Sequence, residues 1–164
     1  MNSRRSTGIC VLLLLLVLSS PVSAQEAGGT TGAGAASVAV ADDPALYAVG
    51  ALGASNLYTS YFLLGTLADG YATAAYTSQF ADELTRDVIG LNESSIEVLN
   101  ELASEPTLAA GDKALLDDMI TAHQLLINQA WGLLAYVDDS ENTEEWFQYR
   151  RQAWELISTL LDIQ

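Results

Sequence analysis

The sequence predicts an all-α protein, an antiparallel up-down-up-down four-helix bundle. Apolar residues recur at spacings of three and four in four long segments, and no segment alternates with the period of a β-strand. The four segments are separated by short polar turns. Because short connections place consecutive helices side by side, we expect neighbouring helices to run in opposite directions.

The first 24 residues are predicted to be a cleaved secretory signal peptide. Arg4 and Arg5 form a basic start, residues 9–18 form an apolar run, and residues 22–24 read Val-Ser-Ala, a small-residue cleavage site. We therefore expect an exported protein, periplasmic or extracellular. Cleavage would remove Cys10, the only cysteine, and with it any disulfide or thiolate metal site.

The segment that follows, residues 25–41, is rich in Gly, Ala and Thr and has no apolar periodicity. We predict a flexible linker there, because such a composition cannot bury a face. The four-helix bundle domain is expected to occupy residues 42–164.

The protein is strongly acidic. Its formal net charge is −15, and cleavage would leave four basic residues against 21 acidic ones, a formal charge of −17. A surface of this sign repels polyanions. We therefore expect no nucleic-acid partner.

The first helix is predicted over residues 44–74, with Asp43 as its N-cap and Pro44 as its first residue. Residues 45–68 contain no charged side chain. A helix on the outside of a bundle normally carries a charged outer face. The absence of charged side chains from this segment predicts that its outer face contacts another copy of the chain or a partner protein. The candidate residues of that partner surface are Tyr58, Tyr61 and Phe62.

A transmembrane span is the alternative explanation for residues 45–68, since 24 uncharged residues are long enough to cross a bilayer. Against it, polar residues occupy 55–56 and 58–61, and no Lys or Arg flanks the segment. The three amphipathic helices that follow also need a fourth helix to cover them. We do not expect a membrane span, and a membrane-embedded subunit stays an alternative.

The other three helices are predicted from their apolar stripes and their caps. The second helix runs from a cap at Thr77 or Ser78 to about 104, and its expected inward residues are Phe80, Leu84, Val88, Leu91, Val98 and Leu102. The third helix, capped by Asp112, runs to about 137, with expected inward residues Leu115, Met119, Leu126, Leu133 and Val137. The fourth helix begins at a capping box of Asn142 and Glu145 and runs to about 163, with expected inward residues Trp146, Ala153, Ile157, Leu160 and Leu161.

The motifs of enzymes and of cofactor-binding bundles are missing from the sequence. The one histidine, His123, has Ile120 three positions before it, so no Glu-x-x-His metal motif is present. There is no phosphate-binding loop and no nucleophile elbow. Asn92 begins a glycosylation sequon but lies within a predicted helix, so we assign no site there. We predict a protein that is not an enzyme and holds no cofactor or metal.

A polar layer is predicted to cross the middle of the bundle. At about 1.5 Å rise per residue, Asn56 and His123 lie at similar heights on two helices that run the same way. The candidate residues of this layer are Asn56, Ser60, Ser95, His123, Arg151 and Trp154. Two interpretations stay open: a satisfied buried network that fixes helix register, or a small-ligand pocket with a titrating histidine.

These observations favour an exported, non-catalytic binding or protein-interaction module. An alternative is a periplasmic protein that handles a metal or a small ligand. The segment 44–74 is the predicted site of contact with a second copy or a protein partner. The identity of that ligand or partner is not encoded in any motif of the sequence.

Overall fold

The computed structural model describes residues 44–163, and over that range the protein is an all-α domain of four packed helices without strands. The prediction of an all-α protein with four helices is confirmed. The predicted signal peptide and linker, and the expected cap at Asp43, lie outside the described residues. The helices are α1 (Pro44–Ala72), α2 (Ser78–Ala103), α3 (Ala110–Asp138) and α4 (Glu144–Leu160).

The central helix of the domain is α3. It packs against each of the other three helices, whereas α2 and α4 do not contact each other. Eleven of its residues are buried, more than in any other described helix. They include Met119, Leu126 and Leu133, as the apolar spacing predicts, whereas Leu115 is exposed.

The buried face of α2 differs from the predicted stripe. Phe80, Leu91 and Val98 were expected inside and are exposed. Small and polar side chains take their place, at the helical spacing of three and four, and allow α2 to approach α3 closely. The buried residues of α2 are Ala81, Thr85, Val88, Ile89, Asn92, Leu99 and Ala103.

The buried residues of α1 begin near its midpoint. Its first buried residue is Leu57, and every residue before it is half-buried or exposed. Leu63 is also partly exposed, because the buried stripe runs through Ser60, Leu64 and Leu67. The first half of α1 therefore stands beside its neighbours with open space on its flanks.

The helix ends show which capping predictions were right. Thr77 caps α2, since its side chain accepts a hydrogen bond from the Phe80 amide at 3.2 Å. The cap predicted at Asp112 is wrong, because the N-cap of α3 lies three residues earlier, at Ala109, and has no side-chain capping bond. The predicted capping box at Asn142 is also wrong, because Thr143 holds the N-cap position of α4 and makes no capping hydrogen bond.

Two helices end earlier than predicted, and each has a residue with positive φ just beyond its end. Ala74 has φ 56° and follows the end of α1. Asp162 has φ 51° and closes α4 in a Schellman motif, in which the Ile163 amide bonds the Ser158 carbonyl at 2.9 Å. Left-handed backbone breaks the helical hydrogen-bond ladder, which explains the early ends.

Within residues 44–163, no helix combines the length and apolarity that a membrane crossing requires. The finding covers α1, which contains the alternative span at 45–68.

Candidate functional site

A chain of polar side chains passes through the interior from α1 and α2 to α3, and it contains four of the six residues predicted for the polar layer. Asn56 Nδ2 donates to Ser95 Oγ at 2.8 Å, and Ser60 Oγ donates to Asn56 Oδ1 at 3.3 Å. Asn92 then connects Ser60 to His123. We call these five residues, Ser95, Asn56, Ser60, Asn92 and His123, the polar chain.

Asn92 is the residue of the polar chain that the sequence reasoning missed. It is fully buried, and its Nδ2 donates to the Val88 carbonyl at 2.7 Å and to Ser60 Oγ at 3.4 Å. Its Oδ1 lies 2.7 Å from Nδ1 of His123. The signal available in the sequence was its helical spacing from Thr85, Val88 and Leu99, which gives all of them one face.

His123 is fully buried on α3, and only one of its two ring nitrogens is paired. Nδ1 meets Asn92, whereas Nε2 has no hydrogen-bond partner among residues 44–163. Burial lowers the pKa of His123 from 6.5 to about 4. The imidazole is therefore neutral at neutral pH, and Nε2 is a buried polar atom without a partner in the described chain.

An open groove lies beside His123, between the first half of α1 and the second half of α2. Its volume is about 400 Å³. Most of its lining residues are apolar, and two of these residues, Leu52 and Val98, are 72% and 60% exposed. The residues that line it are Val49, Leu52, Gly53, Asn56, Leu91, Ser94, Ser95, Val98, Leu99 and His123. We call this the α1–α2 groove.

The α1–α2 groove has no charged side chain among its lining residues. Its polar atoms come from Asn56, Ser94, Ser95 and His123, and the polar chain already uses Asn56 and Ser95. An anionic ligand would be repelled by the strongly acidic protein, and a cationic ligand would find no carboxylate among the lining residues. The groove is suited to an uncharged, mostly apolar molecule.

The other two residues predicted for the polar layer lie elsewhere. Arg151 is exposed, and Trp154 is half-buried against Tyr61, with ring centroids 5.1 Å apart. The neighbouring Arg150 is the arginine that turns inward, with its guanidinium carbon 4.8 Å from the Tyr61 ring centroid. Neither arginine belongs to the polar chain. Arg150 and Arg151 differ in burial because one residue on a helix is a rotation of about 100°.

The three residues of the predicted partner surface differ in burial. Tyr61 is only 7% exposed and belongs to the core, whereas Tyr58 and Phe62 are 40% and 46% exposed. The rings of Tyr58 and Phe62 lie 4.6 Å apart, and Phe62 also meets Trp154 edge to face at 6.3 Å. Two of the three residues therefore form an exposed aromatic pair on the part of α1 that carries no charge, residues 45–68.

Among the described residues, no group of three or more His, Cys, Asp or Glu side chains is arranged to hold a metal ion. Gln129 is a further buried polar residue, whose Nε2 and Oε1 have no partner within residues 44–163, but it does not line the α1–α2 groove. His123 is thus the one fully buried residue that is both unpaired at a polar atom and in contact with this groove.

No protein-family model, curated protein or solved structure matches this chain.

Proposed function

We propose that the protein is a non-catalytic binding module whose α1–α2 groove holds an uncharged, mostly apolar small molecule. The observation that carries the proposal is the unpaired Nε2 of the buried His123 beside an apolar groove. A polar atom that is buried without a partner costs about 1–3 kcal/mol. A ligand that reaches this atom would remove that cost.

Groove size and lining support the same proposal. The volume of about 400 Å³ lies within the range of small-molecule sites. Leu52, Leu91 and Val98 expose apolar surface on its walls, and covering that surface is favourable by about 25 cal/mol per Å². Apolar contact would supply affinity, and His123 would orient the ligand.

A fluorescence titration with N-phenyl-1-naphthylamine, an uncharged apolar dye that brightens outside water, tests this function. We expect Leu52→Glu and Val98→Glu to weaken dye binding at least tenfold, because each places a carboxylate at the groove. Both positions are exposed, so the fold should persist. Phe147→Glu is the matched control, since Phe147 is an exposed apolar residue that does not line the groove. Equal dye binding by all three variants would contradict the proposal.

We also infer that the helices run up, down, up and down. The order of the contacting residues supports this inference. Along α1, the partners in α2 and in α4 have falling residue numbers, as in antiparallel helices. The partners in α3 have rising residue numbers, as in parallel helices. The contacts are Asn56–Ser95 and Ser60–Asn92, Tyr61–Trp154 and Gly65–Arg150, and Gly53–Met119 and Tyr71–Val137.

Spin labels on cysteines placed at the exposed residues Ala48 and Ser104 test this arrangement of α1 and α2. Antiparallel helices put the two labels at the same end, about one helix diameter apart. Parallel helices would separate them by nearly the length of α2, about 40 Å. A long measured distance would contradict the inference.

A second candidate function is protein interaction through α1. The supporting observation is the exposed pair of Tyr58 and Phe62 on a helix without charge over residues 45–68. The occupant we favour is a second copy, because two strongly acidic chains can approach most closely at an uncharged face. Light scattering after size exclusion should show a dimer that Tyr58→Glu disrupts and Trp131→Glu, an exposed residue of α3, does not. A monomer at all concentrations would contradict this candidate.

We propose an exported location as well, supported by the basic start, apolar run and small-residue site within residues 1–24. Amino-terminal sequencing of protein from its native source should begin at Gln25. A native chain that begins at Met1 would contradict export by this route.

A further inference from the structure

The side-chain amide of Asn92 can adopt only one orientation. Its Nδ2 lies 2.7 Å from the Val88 carbonyl oxygen, which can only accept a hydrogen bond. Turning the amide over would place Oδ1 against that carbonyl, so that two acceptors faced each other at hydrogen-bond distance. The second Nδ2 hydrogen reaches Ser60 Oγ at 3.4 Å. Oδ1 of Asn92 therefore faces Nδ1 of His123.

This orientation fixes the tautomer of His123. Oδ1 is an acceptor, so at 2.7 Å the Nδ1 nitrogen must carry the hydrogen and donate it. Burial keeps the ring neutral, and a neutral imidazole has only one N–H. Nε2 consequently carries a lone pair and no hydrogen, so it can accept a hydrogen bond but cannot donate one.

The rest of the polar chain maintains this direction. Ser60 Oγ receives a hydrogen from Asn92 and gives its own to Asn56 Oδ1. Asn56 Nδ2 donates to Ser95 Oγ, and Ser95 Oγ donates to the Leu91 carbonyl at 3.0 Å. The series of hydrogen bonds thus runs from Asn92 to a backbone oxygen of α2, and both Nδ2 hydrogens of Asn92 have acceptors within it.

We propose that the α1–α2 groove selects ligands that present an O–H or N–H donor to His123 Nε2, and that Asn92 is the positioning residue that sets this specificity. The inference rests on the proposed function, since it assigns a ligand class to the same groove. The chemical class is an uncharged apolar molecule with one donor group, such as a long-chain alcohol or a phenol. Ketones and ethers of equal size lack the donor and are discriminated against.

Two isomeric ligands test the specificity. 1-Nonanol and methyl octyl ether have the same atoms, but only the alcohol has an O–H. In competition with N-phenyl-1-naphthylamine, the alcohol should displace the dye at about tenfold lower concentration, the effect of one hydrogen bond made to a buried partner. The ketone 2-nonanone should behave like the ether. Displacement by all three at equal concentration would overturn the inference and leave the proposed function standing.

The tautomer itself can be measured without any ligand. Because the chain has one histidine, nitrogen-15 NMR of His123 is free of overlap. At neutral pH the free protein should show a protonated Nδ1 and an unprotonated Nε2. The opposite tautomer, or a doubly protonated ring, would overturn the assignment of Asn92 whether or not the groove binds anything.

Asn92→Asp tests the positioning role. A carboxylate beside Nδ1 favours the imidazolium, which would put a hydrogen on Nε2 and make it a donor. The alcohol would then lose its advantage over the ether and the ketone, and the NMR spectrum would show both nitrogens protonated. Asn100→Asp is the matched control, because Asn100 is an exposed residue of α2 whose Nδ2 makes the same type of bond, to the Ile96 carbonyl at 2.9 Å, and it does not line the groove. It should keep the preference for the alcohol.

A milder variant covers the case in which Asn92→Asp fails to fold. Asn92→Ala removes the Oδ1 that faces Nδ1 without adding a charge, so the His123 tautomer is no longer fixed and the preference for the alcohol should shrink. An unchanged preference in this variant would overturn the positioning role of Asn92. If Leu52→Glu loses dye binding but the wild-type protein shows no preference for the alcohol, the proposed function stands and this inference fails.

Discussion

Gly132 of α3 lies directly against the backbone of Trp146 in α4. A Cβ added to Gly132 would stand 2.7 Å from the Trp146 nitrogen and 2.9 Å from its Cα. Neither atom can move away without shifting α4. The close approach of these two helices therefore depends on a residue without a side chain.

Gly132→Ala should destabilise the protein by about 2 kcal/mol, because overpacking against backbone outweighs the gain in helix propensity. Gly90→Ala is the matched control: Gly90 lies within α2, and a Cβ there would meet nothing within 4 Å. That variant should be more stable by up to about 1 kcal/mol. Urea unfolding measures both, and a stabilised Gly132→Ala would contradict the packing of α3 on α4.

His123 makes stability depend on pH. Its pKa is about 4 in the folded protein and 6.5 in the unfolded chain, so the unfolded chain binds more protons between these values. The free energy of unfolding should be unaffected by this group above pH 6.5 and should fall as the pH drops towards about 4, by up to about 3 kcal/mol.

Comparison with His123→Gln isolates the contribution of the imidazole, because His123 is the one histidine. The difference in unfolding free energy between the two proteins should shrink as the pH falls from 6.5. A difference that is constant over this interval would show that His123 is not held neutral by burial.

Arg150 and Arg151 should differ in their effect on stability. The guanidinium of Arg150 lies near the rings of Tyr61 and Trp146, with its carbon 4.8 and 5.5 Å from the two centroids. Arg150→Ala removes these contacts and should cost about 1–2 kcal/mol. Arg151 is exposed, and Arg151→Ala should change stability by less than about 0.5 kcal/mol. Thermal unfolding distinguishes the two arginines, and equal effects would contradict the inward position of Arg150.

Sequence reasoning predicted the features that depend on helical rise. Asn56, Ser95 and His123 were placed at one height by counting residues, and they do belong to one hydrogen-bonded chain with Ser60. Rise accumulates slowly, so an error of one or two residues at a helix end changes the height by only about 3 Å.

Rotation about the helix axis was predicted less well. An error of one residue turns a side chain by about 100°, which explains why Arg151, expected in the polar layer, is exposed while the adjacent Arg150 packs on Tyr61. Leu91 and Val98 were assigned to the core because they are apolar. Between α2 and α3, close backbone approach favours the smaller faces that carry Ala81 and Asn92, and the large apolar residues are left at the groove.

The uneven packing of α1 has a consequence for its motion. Residues beyond Leu57 are anchored in the core, whereas the first three turns of the helix have few buried contacts. Local opening costs least where little is buried, so backbone amides in these turns should exchange with solvent sooner than those around Leu64. The same turns form one wall of the α1–α2 groove. A ligand in the groove should therefore slow hydrogen exchange of the backbone amides at the start of α1. The bound ligand would make this part of the helix more rigid without changing the fold.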